Sequence, residues 1–571
     1  MGVSGLKSFI TQSPYLYATE VNTESNPIHV VVDAFSLYYA LATQGTRFGI
    51  ESHFCYDSVR RIIFRFMDYL KAKNIIVDCV CIDTLIDPFK YEELCRRQAE
   101  RARRYQEAWR SCFQHSLGGY LPGITVVYCV QALREYSKGS ILFVNSGVDP
   151  DRDIARYCLR FDAYALTSDS DFLVYPIKGM VDLRPIIDNF QFETLHLVPK
   201  RVEVYTLHSI LSALKLPYEA FLFVILLQGN DYVHGVSLER IKASNQKQTL
   251  GALFDYARSL HGGDAREFYA NHYASLNPQL SVEEYYNNAA KYDINSYLDF
   301  PSSLFSDSLT SLPPNTAEYV AFLSTLASPF SFNIYRFLFD RFVFLPTFLS
   351  GASTAVLRRF ITKLATTASD CAETDLAFIS GVQAPVPSSS IAYPFQQLQK
   401  CREIHAKPVS ERLALLEAFL EFKLPSQSPF LFAVFTVLTM CLPSRSSQGS
   451  WRLLLSLLAA AFACHSRVHS IHKQRDCIVP IPVRKDVIMM FDMLSNVIEY
   501  ISPVFMYFGV EWDVEWLMTL DAGCVEYLFN QHKHRNCLHC DFLFSDDIKE
   551  MDYLSPLLYA CLFGASLILK D

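Results

Sequence analysis

HVVVDAF (residues 29–35) decides how this chain is read: three consecutive valines closed by Asp33 form a short buried strand that ends in an acid. The pattern returns at VDCVCID (77–83), which closes on Asp83. Between the two, YDSVRRIIFRFMDYLKAK (56–73) spaces its apolar residues at helical period. SILFVNSG (140–147) predicts a third strand, and GVDPDRDIARYC (147–158) predicts a helix that opens near Asp151 with Pro150 at its first position. DAYALTSDSDFLVY (162–175) predicts a further extended segment. Strands alternating with helices imply an α/β fold with a mostly parallel sheet flanked by helices. In such sheets ligands bind beyond the carboxyl ends of the strands, and three of these strands carry acids there.

Outside this third the chain is informative mainly in bulk. Its 571 residues exceed what one core organises, so two or three domains are expected. Half of the residues are hydrophobic and 19% are charged, with 32 Tyr and 43 Phe, a composition of large buried surfaces rather than disorder. Past about residue 300, helical runs are separated by PSSLFSDSLTSLPPN (301–315), APVPSSS (384–390) and PSRSSQGS (443–450). The expected division is therefore 1–300, with a core at 1–235, followed by a mainly α-helical domain at 301–571. The longest apolar run, PFLFAVFTVLTMCLP (429–443), is short for a bilayer and predicts a buried core helix, so no membrane partner is expected. Sixteen scattered cysteines and an opening MGVSGLKSFI without a charged-then-apolar signal predict free thiols in an intracellular setting, nucleus or cytoplasm. Gly2 would suit myristoylation, but Leu6 stands where that signal wants Ser or Thr.

Seven aspartates stand out by position: Asp33, Asp83, Asp149, Asp151, Asp169, Asp171 and Asp231. Asp169 and Asp171 lie two apart in a segment expected to be extended, where period-two geometry points both side chains the same way. Converging carboxylates are the hard oxygen donors that two Mg²⁺ or Mn²⁺ ions require, ~4 Å apart, to activate water and neutralise the leaving oxygen in phosphodiester hydrolysis. Each acid also has an ordinary reading. Asp149 suits an N-cap, Asp151 a helix first turn, and a strand-ending Asp a turn.

The ordered set resembles a known family, the flap-endonuclease-like superfamily. MGVSGL resembles that family's N-terminal motif, VVDAFSLYYAL its first acidic strand, and CID (81–83) its second acidic position. GVDPDRDIARYC resembles the paired-acid helix start, TSDSDFLVY the paired-Asp strand, and LLQGNDYV the motif that supplies Asp231. The Asp-Arg-Asp-Ile variant and the long helical C-terminal half look most like the asteroid branch. The resemblance implies a PIN-like, flap-endonuclease-like fold in which the seven aspartates hold two Mg²⁺ or Mn²⁺ ions. It also implies that Lys90 and Arg97 approach the scissile phosphate, that Gly2 contacts nucleic acid and that Tyr39 stacks on a base. Three features depart from the family: Thr84 follows Asp83 in place of glycine, Asp149 replaces a glutamate, and YVHGVSLERIKA (232–243) lacks the Gly-x-Gly hairpin that grips duplex.

The formal net charge of −8 requires a local basic patch if the partner is nucleic acid. KYEELCRRQAERARRYQEAWR (90–110) supplies one, with seven Lys or Arg against four Glu; Lys90, Arg97, Arg101 and Arg104 share a helical face. A solvated face with i,i+4 ion pairs accounts for the same charges. HKHRNCLHC (532–540) lacks the second ligand pair of a structural zinc site, and His465, His469 and His472 read as neutral histidines on a helix. The expected function is a structure-sensing, two-metal nuclease acting on DNA with single-stranded or branched ends, with protein partners reaching the helical C-terminal domain. The alternatives are a weakened scaffold of the same fold used in signalling or protein interaction, and a ribonuclease.

Overall fold

The structure is a computed structural model. It describes residues 3, 5–44, 55–82, 96, 100, 103, 104, 107, 123–145, 150–192, 198–229, 250–260, 265–276, 281–294, 342–344, 377–379, 403–420, 488, 505 and 507–510. The chain divides into two compact units. One holds Met1–Gly45, Phe64–Leu94 and Leu133–Glu318, and the other holds Thr46–Ile63, Cys95–Ala132 and Tyr319–Asp571.

The first unit is built on a seven-stranded sheet, β1 (Ala18–Asn22), β2 (Ile28–Asp33), β3 (Ile75–Ile82), β4 (Leu142–Asn145), β5 (Tyr164–Thr167), β6 (Met180–Asp182) and β7 (Arg201–Tyr205), in the order β1-β7-β6-β5-β2-β3-β4. Strands β6, β5, β2, β3 and β4 pair in parallel, and the β1–β7 and β6–β7 pairs are antiparallel. The predicted α/β class is therefore observed, as a mixed sheet flanked by helices. The order runs outward from β2 in both directions, to β3 and β4 on one side and to β5 and β6 on the other. A sheet reverses its winding at such a strand, and a crevice opens past its carboxyl end.

Alternation along the strands buries side chains on both faces of the sheet. Val31, Cys79, Cys81, Val144 and Ala165 pack in one cluster with Ile154, Ala155 and Cys158 of helix Pro150–Arg160. Val30 and Val32, next in the alternation, are also fully buried. Phe66 and Tyr69 of helix Tyr56–Ala72 meet the Phe190 ring of helix Leu183–Phe192. Helix Tyr218–Gln228 is buried from Glu219 to Leu227, as an all-apolar helix must be. It ends at Gly229, whose φ of +87° suits glycine. Helices Leu250–Ser259, Arg266–Leu276 and Val282–Ala289 add to the same core, which runs to Ile294. The folded core thus continues well past residue 235.

In the second unit the described part of the C-terminal half holds helix Val409–Leu420 and a parallel pair of short strands, Phe342–Phe344 and Ala377–Ile379. The 429–443 run, the three histidines at 465–472 and the Cys-His segment at 532–540 lie outside the described residues. Among the described residues no single helix is long and apolar enough to cross a membrane.

Candidate metal and nucleic-acid site

Asp33 is the last residue of β2, and helix Ala34–Gln44 starts directly after it. Its Oδ1 accepts the Ser36 backbone N–H at 3.0 Å, so the acid caps that helix. Its Oδ2 accepts the Thr167 hydroxyl at 2.7 Å, from the end of the neighbouring strand β5. The Thr167 hydroxyl in turn accepts the Asp169 N–H at 3.0 Å, and the Ser36 hydroxyl accepts the Ser168 N–H at 2.8 Å. Two of these four hydrogen bonds, Thr167 to Asp33 and Ser168 to Ser36, join the ends of β2 and β5 at the switch point, and the two local ones complete the turn that sets Asp169 near Asp33.

Electrostatics records the approach. Burial pushes the Asp33 carboxyl up to about 6; hydrogen bonds from Ser36 and Thr167 oppose the shift, and the Asp169 charge adds to it. An acid held at a buried strand end beside a second acid is a cost that a cation would relieve. The donors are all oxygens, which fits a hard divalent ion.

The segment carrying Asp169 and Asp171 differs from expectation. The strand stops at Thr167, and Ser170–Leu173 forms one 3-10 turn with Asp169 as its N-cap. Asp169 Oδ1 accepts the Asp171 N–H at 3.2 Å, so the pair does not obey strand periodicity. The reason is local: the Thr167 and Asp169 side chains capture the N–H groups of Asp169 and Asp171 and draw the chain out of the sheet. Asp169 is half-buried, whereas Asp171 is 0% exposed and its Oδ1 accepts the Tyr292 hydroxyl at 3.2 Å.

Asp151 lies, as expected, in the first turn of helix Pro150–Arg160, with Asp153 beside it. That helix packs on β2, β3 and β5. Asp153 is buried and paired with Arg156 at 3.4 Å. Tyr39 is half-buried on the helix after β2. Gly2, Asp83, Lys90, Arg97, Arg101, Asp149 and Asp231 lie outside the described residues. Among the described residues no three His, Cys, Asp or Glu side chains stand close enough to hold one metal ion, so Asp33, Asp151, Asp169 and Asp171 do not by themselves make the expected cluster.

Arg104, in the second unit, pairs with Glu100; Arg103 pairs with Glu107 at 2.7 Å and Arg96 with Glu100 at 3.8 Å. The i,i+4 reading of this segment is therefore realised at every described charge.

Several site residues escaped the sequence reading. Thr167 and Ser168 were in plain view in TSDSD. Asp182 ends β6 as Asp33 ends β2, and the same rule applied to MVD (180–182) finds it. Its carboxylate accepts Lys7 Nζ at 2.7 Å, the Arg184 N–H at 3.0 Å and the Ser168 hydroxyl at 3.3 Å. Lys7 also donates to the Ser168 carbonyl at 3.2 Å, and Ser170 donates its hydroxyl to the Val3 carbonyl at 3.1 Å. The N-terminal segment is thereby fastened to the turn that carries Asp169.

No family model matches the chain, and no curated protein matches it. Solved structures similar to it include the catalytic core of Rad2 in complex with a DNA substrate, at 18% identity and a TM-score of 0.32 over 53% of this chain and 83% of that one. Another Rad2 catalytic core is similar at 16% identity and a TM-score of 0.30, over 55% and 87% of the two chains. Human GEN1 in complex with Holliday junction DNA is similar at 15% identity and a TM-score of 0.33, over 60% and 79%.

Proposed function

We propose that this chain is a divalent-metal-dependent nuclease that hydrolyses phosphodiester bonds in DNA with single-stranded or branched ends, inside the cell. The observation that carries the reading is the juxtaposition of Asp33 and Asp169 across the ends of β2 and β5, where burial and mutual repulsion disfavour two negative charges. Asp33, Asp151, Asp169 and Asp171, with Asp83, Asp149 and Asp231, would hold two Mg²⁺ or Mn²⁺ ions, which supply an activated water and a neutralised leaving oxygen. Lys90 and Arg97 would contact the phosphate, with Gly2, Tyr39, Arg101 and Arg104 along the strand. The ordered run of acidic motifs supports the assignment to a flap-endonuclease-like protein of the asteroid branch.

A second reading, a scaffold of the same fold used for protein interaction, draws on two observations. Asp171 is sealed from solvent, and the described charges of the basic segment are paired among themselves. Asp169→Asn separates the two, because asparagine keeps the N-cap and removes the charge. On a fluorescent DNA with a single-stranded overhang and Mn²⁺ present, cleavage should fall at least 100-fold while binding persists, since affinity comes from phosphate contacts elsewhere. Undiminished cleavage by the variant would remove Asp169 from the mechanism. Wild-type protein that neither binds nor cuts DNA would establish the scaffold, and cutting confined to RNA would make it a ribonuclease.

A further inference from the structure

We propose that Tyr292 is a positioning residue for the Asp171 carboxylate, so that the helical segment beyond residue 250 is a working part of the metal site. The inference rests on the metal-dependent reading above and concerns a region that none of the acidic motifs reaches.

The geometry holds Asp171 from two sides. Its backbone N–H is taken by Asp169 Oδ1, and its own Oδ1 receives the hydroxyl of Tyr292, 121 residues away. Tyr292 has little freedom to do otherwise. It is 1% exposed, it ends the 3-10 turn Ala290–Tyr292, and its ring lies against that of Tyr175 at 5.4 Å and 59°. Tyr175 belongs to the same loop, and its N–H donates to the Asp171 carbonyl at 3.3 Å. The turn Ala290–Tyr292 follows directly on helix Val282–Ala289, which is anchored by a reciprocal capping box between Ser281 and Glu284. The phenol is therefore delivered to the acid by a fixed element.

The choice of donor matters. Lys7 neutralises Asp182, the acid at the end of β6. A phenol orients a carboxylate by one hydrogen bond and leaves its negative charge in place for a cation. Outer partners of this kind fix ligand orientation, and their loss typically costs about 10–100-fold in metal affinity. Tyr273 and Tyr285, buried in the same helical layer, carry hydroxyls that meet no hydrogen-bond partner among the described residues. They are built-in controls, equal in chemistry and different only in what the hydroxyl reaches.

The test is Mn²⁺ binding to the full-length chain, measured by calorimetry and by electron paramagnetic resonance of free Mn²⁺, for wild type, Tyr292→Phe and Tyr285→Phe. Tyr292→Phe keeps the ring against Tyr175 and should weaken Mn²⁺ binding about tenfold or more; Tyr285→Phe should match wild type. In an Asp171→Asn background, Tyr292→Phe should have no further effect on affinity, which a general loosening of the fold would not produce. Equal Mn²⁺ affinity in wild type and Tyr292→Phe, or an additive loss in the double variant, overturns the role of Tyr292 and leaves the nuclease reading standing. Wild-type protein that binds no Mn²⁺ overturns both.

Discussion

Replacing Asp33 with asparagine should make the protein more stable, and the gain should vanish in acid. Burial pushes the folded-state carboxyl up to about 6 from an ordinary 3.8, a shift of roughly two units. At ~1.4 kcal/mol per unit, ionising this group in the folded protein costs about 3 kcal/mol relative to the unfolded chain. A raised folded-state acid binds its proton more tightly than the unfolded one. Stability therefore falls as pH rises from about 4 to about 6 and stays lower above that window. Asparagine has the shape of the protonated acid, can still accept the Ser36 N–H as a cap, and carries no charge to desolvate. Above pH 7, Asp33→Asn should unfold about 3 kcal/mol less readily than wild type in a urea titration, corresponding to roughly 6–10 °C in melting temperature. The difference should shrink through pH 6 to 4 and close below about 4. Saturating Mn²⁺ should raise the melting temperature of wild type and not of the variant, by mass action on the folded state. A variant no more stable than wild type at pH 7.5, or a difference that persists unchanged at pH 4, would refute the claim that a strained charge sits at the end of β2.

Lys7 and Asp182 form a largely buried ion pair, so Lys7→Met should destabilise the protein by about 2–3 kcal/mol by stranding the Asp182 charge; denaturant titration of Lys7→Met with Asp182→Asn should recover most of that loss. Cys79, Cys81, Cys129 and Cys158 are buried, and burial raises the thiols of Cys81, Cys129 and Cys158 well above the usual range. Mass-spectrometric mapping after brief native maleimide treatment should find all four unlabelled, and labelled only after unfolding.

The sequence made the sheet legible because its central strands are short β-branched runs with acids at their ends. β2 and β3 fall within two residues of expectation, and Pro150 opens its helix where proline should. What escaped was set by contacts between distant segments or by competition within one. The TSDSD stretch alternates as a strand does, yet Asp169 takes the Asp171 N–H for itself and the strand ends at Thr167. The bond from Tyr292 to Asp171 spans 121 residues and that from Lys7 to Asp182 spans 175, and neither partner carries a local signal of the other. The packing of the helices beyond residue 250 onto the same core, as far as Ile294, likewise carries no signal in the acidic motifs.

The fold on its own gives no use for a charge at position 33. Capping the helix after β2 needs only an oxygen that accepts from Ser36, and asparagine, serine or threonine would supply it without a buried carboxylate. Opposite Thr167 an amide NH2 would stand where Oδ2 now does and would donate to the threonine hydroxyl, so that contact too can be kept without a charge. The ionised form is opposed by burial and again by Asp169, so the apo fold is less stable for having it at neutral pH. The hydrogen bonds that hold Asp33 and Asp169 in register also prevent the two acids from relaxing apart. A pair of carboxylates held together against their own repulsion would gain from a positive charge between them, and hard oxygen donors suit a small divalent cation better than an organic one. On the proposed reading, the stability lost by the fold would be returned as affinity for that cation.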